Sequence, residues 1–205
     1  MIERITIPSS IDSRPLPTEV KHWISEARQR IETFQDCWDK NQIEQFVAAD
    51  YELVYQSLTW LLETQPTIGR RFLEWGCGFA VVAALASSLE LDAIGIEAES
   101  DLLAQGRKTI DNWNVPVDLI HGNFLPPGCE SIADDPTLPS LGHAVDCGYR
   151  QIDSQLDDFA IVYSYPWPGE DDFHNQVFDR YAAVGAVQIM FCGPNDVRAF
   201  RKTHR

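Results

Sequence analysis

The sequence lacks any long apolar run. Its longest uninterrupted one, Phe79 to Ala86, falls far short of the roughly 20 residues that a helix needs to cross a bilayer. The first residues, Met1 to Arg4, are not followed by the apolar stretch of a secretory signal. We therefore expect a cytoplasmic protein without a membrane partner.

Basic residues are scarce. The chain has 16 Lys and Arg against 31 Asp and Glu, which gives a formal net charge of -15. Affinity for nucleic acid comes from clustered Lys and Arg that neutralise phosphates, so nucleic acid is not an expected partner unless a local basic patch exists. Negative charge keeps a protein soluble in any case, and here it favours a small molecule or a basic protein segment as partner.

Cysteines are few and scattered. There are five, and none belongs to a Cys-x-x-Cys pair. An odd number without paired spacing is typical of a reducing compartment rather than of a disulfide framework or a zinc site, and we predict no metal site. The cysteines are Cys37, Cys77, Cys129, Cys147 and Cys192.

The first third of the chain has helical periodicity. Thr18 can cap a first helix, and a second helical pattern follows Asn41, with a possible cap at Asp50. For 205 residues with 44% hydrophobic content, we predict one domain with an N-terminal helical extension over residues 1–69. The apolar positions of the first helix are Val20, Trp23, Ile24, Ala27, Ile31, Phe34 and Trp38.

From Arg71 onward, short apolar runs alternate with helical segments, which is typical of a parallel α/β sheet. We predict this α/β core over residues 70–205. The predicted strands are 71–75, 92–96, 117–120, 159–163 and 186–191, with a last edge strand at 197–201, and the predicted helices are 81–89, 100–113 and 173–183.

The segment from Pro126 to Asp158 interrupts this alternation. It is rich in proline and acidic residues. Connections within a compact domain are rarely so long without structure of their own, so we predict a functional lid or a mobile insert at about 126–158.

A glycine turn joins the first strand of the predicted core to a helix. It places Gly76 and Gly78 where the backbone can approach a ligand closely. A dinucleotide fingerprint would need a third glycine where Val81 stands, so NAD and FAD are disfavoured. A tight turn without a ligand would also use glycines.

The segment from Glu74 to Gly78 resembles the first motif of class I methyltransferases, written acidic-x-Gly-x-Gly. Ala80 stands where the motif usually has its last glycine. The resemblance implies a doubly wound, mostly parallel Rossmann-like α/β sheet with an N-terminal helical cap. It also implies S-adenosylmethionine as cofactor, with Glu74, Gly76, Cys77 and Gly78 among the residues that bind it.

Two later segments extend the resemblance. Glu97 ends the next predicted strand, where a carboxylate can accept hydrogen bonds from ribose hydroxyls in either class of nucleotide-binding protein. In the methyltransferases a Gly-Asp or Gly-Asn pair after the following strand binds adenine. Asn123 of the pair Gly122-Asn123 matches it, and Phe124 could pack on the adenine ring. An ordinary turn would use Gly-Asn as well.

An upstream pair, Phe46-Val47, resembles the Phe/Tyr-Val-Pro segment that covers the cofactor in protein-lysine and related methyltransferases, although Ala48 replaces the proline. The resemblance makes the residues that follow, Asp50 and Tyr51, candidate cofactor-binding residues. Asp50 could instead be a plain helix cap.

The loop after the fourth predicted core strand carries Ser164, Tyr165 and Trp167 among prolines. Ligands of open α/β sheets bind outside the carboxyl ends of the strands, so this loop should face the transferable methyl group. Ser164, a candidate cofactor-binding residue, stands where amino-methylating relatives often have Asn or Asp, so an amine acceptor is not implied. Tyr165 and Trp167 could hold a cationic or planar acceptor, or could pack beneath the acidic insert.

An acidic run follows this loop. Glu170, Asp171, Asp172 or His174 could act as a base if the acceptor is protonated. We take Glu170, together with Tyr165 and Trp167, as the candidate catalytic residues. The same run could simply begin a solvated helix, with Asp172 as its cap.

The sequence thus predicts an S-adenosylmethionine-dependent methyltransferase with an unidentified small-molecule or protein acceptor. A non-catalytic, methyltransferase-like interaction module is the first alternative, because Ala80 and Ser164 depart from the family pattern. An NAD-linked oxidoreductase is the second, and it lacks both a glycine at the position of Val81 and an evident hydride-relay residue.

Overall fold

The fold is built on one sheet. The computed structural model describes residues 1–36, 46–129 and 145–204. The strands found there are β1 Ile2–Ile5, β2 Arg71–Trp75, β3 Asp92–Glu97, β4 Val117–His121, β5 Ile161–Ser164, β6 Val187–Gly193 and β7 Asp196–Lys202. They lie side by side in the order β1-β7-β6-β5-β2-β3-β4.

The strands from β2 to β6 run parallel, and β7 returns antiparallel to β6. The doubly wound, mostly parallel sheet predicted from the sequence is therefore confirmed. A strand is present where residues 197–201 predict one, but it is not an edge strand. Strand β1 pairs antiparallel with the outer side of β7, from Ile2 opposite Lys202 to Ile5 opposite Ala199.

Helices flank both faces of the sheet. They are α1 Thr18–Gln35, α2 Tyr51–Thr64, α3 Val81–Ser88, α4 Ser100–Trp113 and α5 Asp171–Tyr181, with short 3-10 turns at Ile11–Ser13, Gly148–Arg150 and Leu156–Asp158. Within the described ranges, no helix is long and apolar enough to cross a bilayer.

Alternation along the strands creates two separate cores. Phe72 and Ile161 belong to the core that the helices α1 to α4 cover, while Leu73 and Val162 belong to the core beneath α5. Successive side chains of a strand point to opposite faces, so one apolar strand supplies both cores.

The beginning of α1 differs from the prediction. Pro17, rather than Thr18, is its N-cap residue, and no side chain caps the helix. Proline has no side-chain oxygen that could accept a hydrogen bond from an N–H of the first turn. Trp38 and Asn41, which the sequence pattern places in helical segments, lie outside the described residues, and Phe46 to Ala49 are not helical.

Helix α2 begins with the predicted cap. The Asp50 carboxylate accepts a hydrogen bond from the Leu53 backbone N–H at 3.2 Å. We expect Asp50→Ala to lower the free energy of unfolding by about 1 kcal/mol, because it leaves an N–H of the first turn without an acceptor. Urea unfolding followed by circular dichroism measures this. Asp50→Ser keeps a capping oxygen and should retain most of the stability, and equal losses in the two variants would contradict a capping role.

The final part of the predicted insert packs as part of the protein. Tyr149 is fully buried, and its hydroxyl accepts a hydrogen bond of 2.8 Å from Nε1 of Trp75. Leu156 is buried in the same core as α5. Residues 130–144 lie outside the described part of the chain, so a lid in this segment stays a prediction.

Candidate active site

The strand order creates a crevice between β2 and β5. From β2 the chain adds β3 and β4 on one side, and it later adds β5 and β6 on the other. Ligands of such sheets bind outside the carboxyl ends of the strands at this switch point. Trp75 and Ser164, the last residues of the two strands, lie opposite each other in register there.

The glycine turn above β2 has an unusual backbone. Gly76, Gly78 and Ala80 have φ values of 64°, 51° and 54°, in the left-handed region that favours glycine. A Cβ added to Gly76 would meet nothing within 4 Å, so the turn is open on that side. The Cys77 side chain is buried, and its Sγ packs over Gly95 of β3. The turn thus offers backbone, rather than the cysteine, to a ligand.

Glu97 holds the turn in place. One carboxylate oxygen, Oε2, accepts a hydrogen bond from the Gly78 N–H at 2.6 Å, and Oε1 accepts one from the Glu99 N–H at 2.9 Å. Glu97 is 7% exposed at the end of β3. The geometry therefore explains part of the role of Glu97 without a ligand and leaves its binding to a ribose a prediction.

Glu74 lies buried beneath the same turn. Its Oε2 accepts a hydrogen bond of 2.7 Å from the Ala83 N–H in the first turn of α3, where the helix dipole favours a negative charge. Burial raises the pKa of Glu74 well above its usual range, the bond from Ala83 lowers it, and the nearby Glu97 raises it again.

Two tyrosines lie close enough to Glu74 for its charge to act on them. Burial raises the pKa of Tyr51 and of Tyr163, and the charge of Glu74 raises both further. The Tyr163 hydroxyl is buried and has no hydrogen-bond partner among the described residues. Tyr51 is thus placed beside the turn, whereas the carboxylate of its neighbour Asp50 caps α2 and lies 3.8 Å from Arg28.

Phe46 contacts the glycine turn directly. A Cβ added to Gly78 would lie 2.6 Å from its ring, which also stacks on Phe79 at 5.2 Å between ring centroids. The sequence motif contains Phe46, yet the predicted cofactor-binding residues were Asp50 and Tyr51. The signal that could have identified Phe46 is the Phe-Val pair itself.

The adenine-side residues of the prediction are engaged with protein. Asn123 accepts a hydrogen bond from the Leu125 N–H at 2.9 Å through Oδ1, and its backbone bonds to Asp146 and Gly148, both at 2.8 Å. The ring of Phe124 stacks on Trp75 at 5.2 Å. Asn123 and Phe124 therefore lie at the carboxyl edge, as expected, and anchor the returning insert there.

The residues of the loop after β5 differ in their burial and in what they contact. Tyr165 packs edge-on against Phe191 at 4.8 Å, and Trp167 is 36% exposed. Glu170 is buried, and its carboxylate accepts a hydrogen bond from the Trp167 N–H at 3.3 Å. Helix α5 begins after Glu170 with no side-chain cap, so Asp172 is not the cap that the alternative interpretation proposed. Ser164 is fully buried.

His174 joins this site, although the sequence singled it out only as one member of an acidic run. Its ring lies 5.5 Å from the rings of both Trp75 and Phe124. The residue is 3% exposed, and its Nδ1 has no hydrogen-bond partner among the described residues. Burial lowers the pKa of His174 to about 3, although the negative charge of Asp171 opposes this. His174 is therefore neutral at physiological pH.

The low pKa of His174 makes stability depend on pH. Between about pH 6.5 and 3 the unfolded chain binds a proton that the folded histidine does not, so stability falls as the pH falls through that window. The slope from this group approaches about 1.4 kcal/mol per pH unit. We expect His174→Phe to remove this contribution, so its free energy of unfolding should rise relative to that of the wild type from pH 7 to pH 4.5.

Urea unfolding at pH 7, 5.5 and 4.5 tests this expectation. Differences between variant and wild type cancel the titration of other groups, including Glu74. His22, exposed on α1, provides the control variant His22→Gln. Parallel pH profiles for the wild type and His174→Phe would show that His174 is not held neutral.

Comparison with known proteins supports the fold. No protein-family model and no curated protein sequence matches this chain. Solved structures do match. A methyltransferase from Geobacter sulfurreducens is 13% identical, with a TM-score of 0.53 over 96% of this chain and 98% of its own.

Two methyltransferases solved with S-adenosylhomocysteine are similar as well. The one from Podospora anserina is 13% identical, with a TM-score of 0.52 over 89% of this chain and 65% of its own. The O-methyltransferase from Bacillus cereus is also 13% identical, with a TM-score of 0.50 over 89% of this chain and 69% of its own. At such identities the likeness shows the fold.

Proposed function

We propose that this chain, which has the Rossmann-like fold of class I methyltransferases, binds S-adenosylmethionine and transfers its methyl group to a small-molecule acceptor. The observation that carries the proposal is a left-handed glycine turn flanked by two buried carboxylates, Glu74 and Glu97, at the ends of adjacent strands. Two of the similar structures contain S-adenosylhomocysteine, the product that S-adenosylmethionine leaves.

The described residues suit such a cofactor. The open side of Gly76 admits close approach to the backbone. The buried Tyr163 hydroxyl has no hydrogen-bond partner in the part of the chain that the structure describes, and a polar ligand could provide one. In this proposal Glu97 binds the ribose, and Asn123 and Phe124 contact the adenine. When bound, the cofactor supplies a methyl group on a positively charged sulfur.

Methyl transfer from a sulfonium depends mainly on alignment and on exclusion of water. Tyr165 lies beside Phe191, and Trp167 borders the solvent, so they can enclose an acceptor at the end of β5. Glu170 is buried within the same loop and fixes its shape through the bond to the Trp167 N–H. We assign it to positioning the loop, with a role as base limited to a protonated acceptor.

A small molecule suits the charge of the chain best. With a net charge of -15, attraction to a phosphate backbone would require a local concentration of Lys and Arg. Several cations of the described residues are already paired with carboxylates: Arg14, Arg28, Arg30, Arg198 and Lys202. This favours a small acceptor over a nucleic acid.

Calorimetric titration of the purified protein tests the proposal. S-adenosylmethionine and S-adenosylhomocysteine should bind with micromolar dissociation constants, and NAD should not bind. Binding of NAD alone would support the oxidoreductase alternative. Binding of none of the three would overturn the proposal and leave the non-catalytic module.

A further inference from the structure

Four side chains of α5, β5 and β6 have buried polar atoms without a hydrogen-bond partner among the described residues. The unpartnered atoms are Ser164 Oγ, His174 Nδ1, Asn175 Oδ1, and both amide atoms of Gln188. More than nine in ten buried polar groups in proteins are bonded, so four such side chains under one helix require an explanation. We call Ser164, His174, Asn175 and Gln188 the polar seam.

The strand register places the polar seam on one face. Ile189 belongs to the core under α1 to α4, so its neighbour Gln188 points to the opposite face, towards α5. Ser164 lies on that same face, because Tyr163 belongs to the other core. Both strand residues are fully buried, at 0% exposure.

One end of the polar seam lies at the carboxyl edge of the sheet. Ser164 is the last residue of β5 and lies opposite Trp75, whose ring contacts His174. Gln188 lies deeper, because β6 places Met190, two residues later, opposite Ser164. Ser164 and His174 therefore form the outer end, beside the glycine turn that follows Trp75.

The two side chains of the outer end carry no charge themselves. His174 is neutral, and Asp171, the carboxylate whose charge acts on it, is paired with Arg198 at 2.9 Å. A charged acceptor group entering here would lose its hydration without gaining a counterion, which is costly. An uncharged group with both a donor and an acceptor would satisfy the two side chains at once, since imidazole Nδ1 accepts and the serine hydroxyl donates.

We infer that Ser164 and His174 bind an uncharged hydroxyl group of the methyl acceptor, carried on a planar ring. This inference rests on the proposed function and narrows its acceptor to an aromatic alcohol. The aromatic side chains around His174, which are Trp75, Phe124 and Phe173, favour a ring over an aliphatic chain.

The acceptor hydroxyl donates its hydrogen bond to His174 Nδ1 and accepts one from Ser164 Oγ. In the transfer, its oxygen forms the new bond to the methyl carbon while the carbon–sulfur bond breaks and leaves its electron pair on sulfur. The hydroxyl proton is released to water as the new oxygen–carbon bond forms, and His174 stays neutral throughout. Charge and atoms balance, because the sulfonium charge leaves as that proton.

Three probes that share a ring and differ in charge test this inference. Phenol, benzylamine and benzoate are titrated by ligand-observed NMR into the protein saturated with S-adenosylhomocysteine, at pH 7. Phenol should bind at least about tenfold more tightly than the cationic and anionic probes, the difference that one lost buried hydrogen bond produces.

Variants locate the bound hydroxyl. His174→Phe keeps the aromatic packing and Ser164→Ala keeps the small size, and each should weaken phenol binding about tenfold. Calorimetry should show unchanged affinity for S-adenosylhomocysteine in His174→Phe. Ser164 is itself a candidate cofactor-binding residue, so phenol binding to Ser164→Ala is measured with the cofactor site saturated. Gln188→Met, at the deep end of the polar seam, is the matched control and should bind phenol as the wild type does.

The outcomes separate the two proposals. If S-adenosylhomocysteine binds but phenol is not preferred, or if the two variants bind phenol as the wild type does, the inference fails and the proposed function stands. If S-adenosylhomocysteine itself does not bind, both fail. Preference for benzylamine would mean that the acceptor is a cation instead.

Discussion

Replacement of Glu97 by glutamine is expected to weaken binding of S-adenosylhomocysteine by about 100-fold or more. Both carboxylate oxygens accept backbone N–H bonds, from Gly78 and Glu99, and the amide that replaces them can accept only one while its NH₂ group faces the other donor. Hydrogen bonds to a charged group contribute about 1.5–3 kcal/mol each, and about 1.4 kcal/mol is a factor of ten. The turn and the ribose site would be lost together.

Calorimetric titration measures this loss, and circular dichroism at the same temperature shows whether the variant is folded. Glu90→Gln is the matched control, because it removes the same charge from a side chain that is 89% exposed before β3. The control should bind S-adenosylhomocysteine as the wild type does. A dissociation constant for Glu97→Gln within threefold of the wild-type value would show that Glu97 does not take part in cofactor binding.

The core of the sheet could be predicted closely from the sequence. The strand predicted over residues 71–75 and the helix predicted over 100–113 have those bounds in the structure. Strands of a parallel sheet are buried on both faces and read as short apolar runs, while the helices between them keep a 3.6-residue period. Local patterns therefore contain enough information for this part of the fold.

Strand β1 could not be predicted in the same way. Ile2–Ile5 has only two apolar side chains, and its place depends on backbone bonds to Ala199–Lys202 at the far end of the chain. Pairing between segments so distant in sequence leaves no local pattern. The same reason explains why the N-terminal part was predicted as helices alone.

The identity of the site residues could be predicted more easily than the contacts that they make. The order of Glu74, Glu97 and Asn123 along the chain follows from the motifs, but their bonds to Ala83, Gly78 and Leu125 depend on how the loops close. His174 carries no signal of its own in the sequence. Its role can be inferred only from the packing against Trp75, which buries an imidazole nitrogen that has no partner among the described residues.

Substitution of Gly122 by alanine should destabilise the protein more than the same substitution at Gly148 or Gly69. The added Cβ would lie 2.8 Å from the Gly148 Cα, 2.9 Å from the Asp146 carbonyl oxygen and 2.9 Å from the Gly148 nitrogen. All three are backbone atoms of the returning insert, so the segment itself must move. We expect a loss of about 2–3 kcal/mol in the free energy of unfolding, which lowers Tm by roughly 5–10 °C.

The other two glycines make this expectation a graded series, measured by urea and thermal unfolding. A Cβ at Gly148 would lie 2.9 and 3.1 Å from side-chain atoms of Ile96 and 3.3 Å from the Asn123 carbonyl oxygen. Only one of these is a backbone atom, and it is the most distant of the three, so Gly148→Ala should cost less than Gly122→Ala. A Cβ at Gly69 would make an ordinary contact of 3.7 Å with Ala160, and Gly69→Ala should be neutral or should stabilise by about 0.4–1 kcal/mol. Equal losses at Gly122 and Gly69 would contradict close backbone packing. Because the moved segment bonds to the backbone of Asn123, Gly122→Ala should also weaken S-adenosylhomocysteine binding, whereas Gly69→Ala should not.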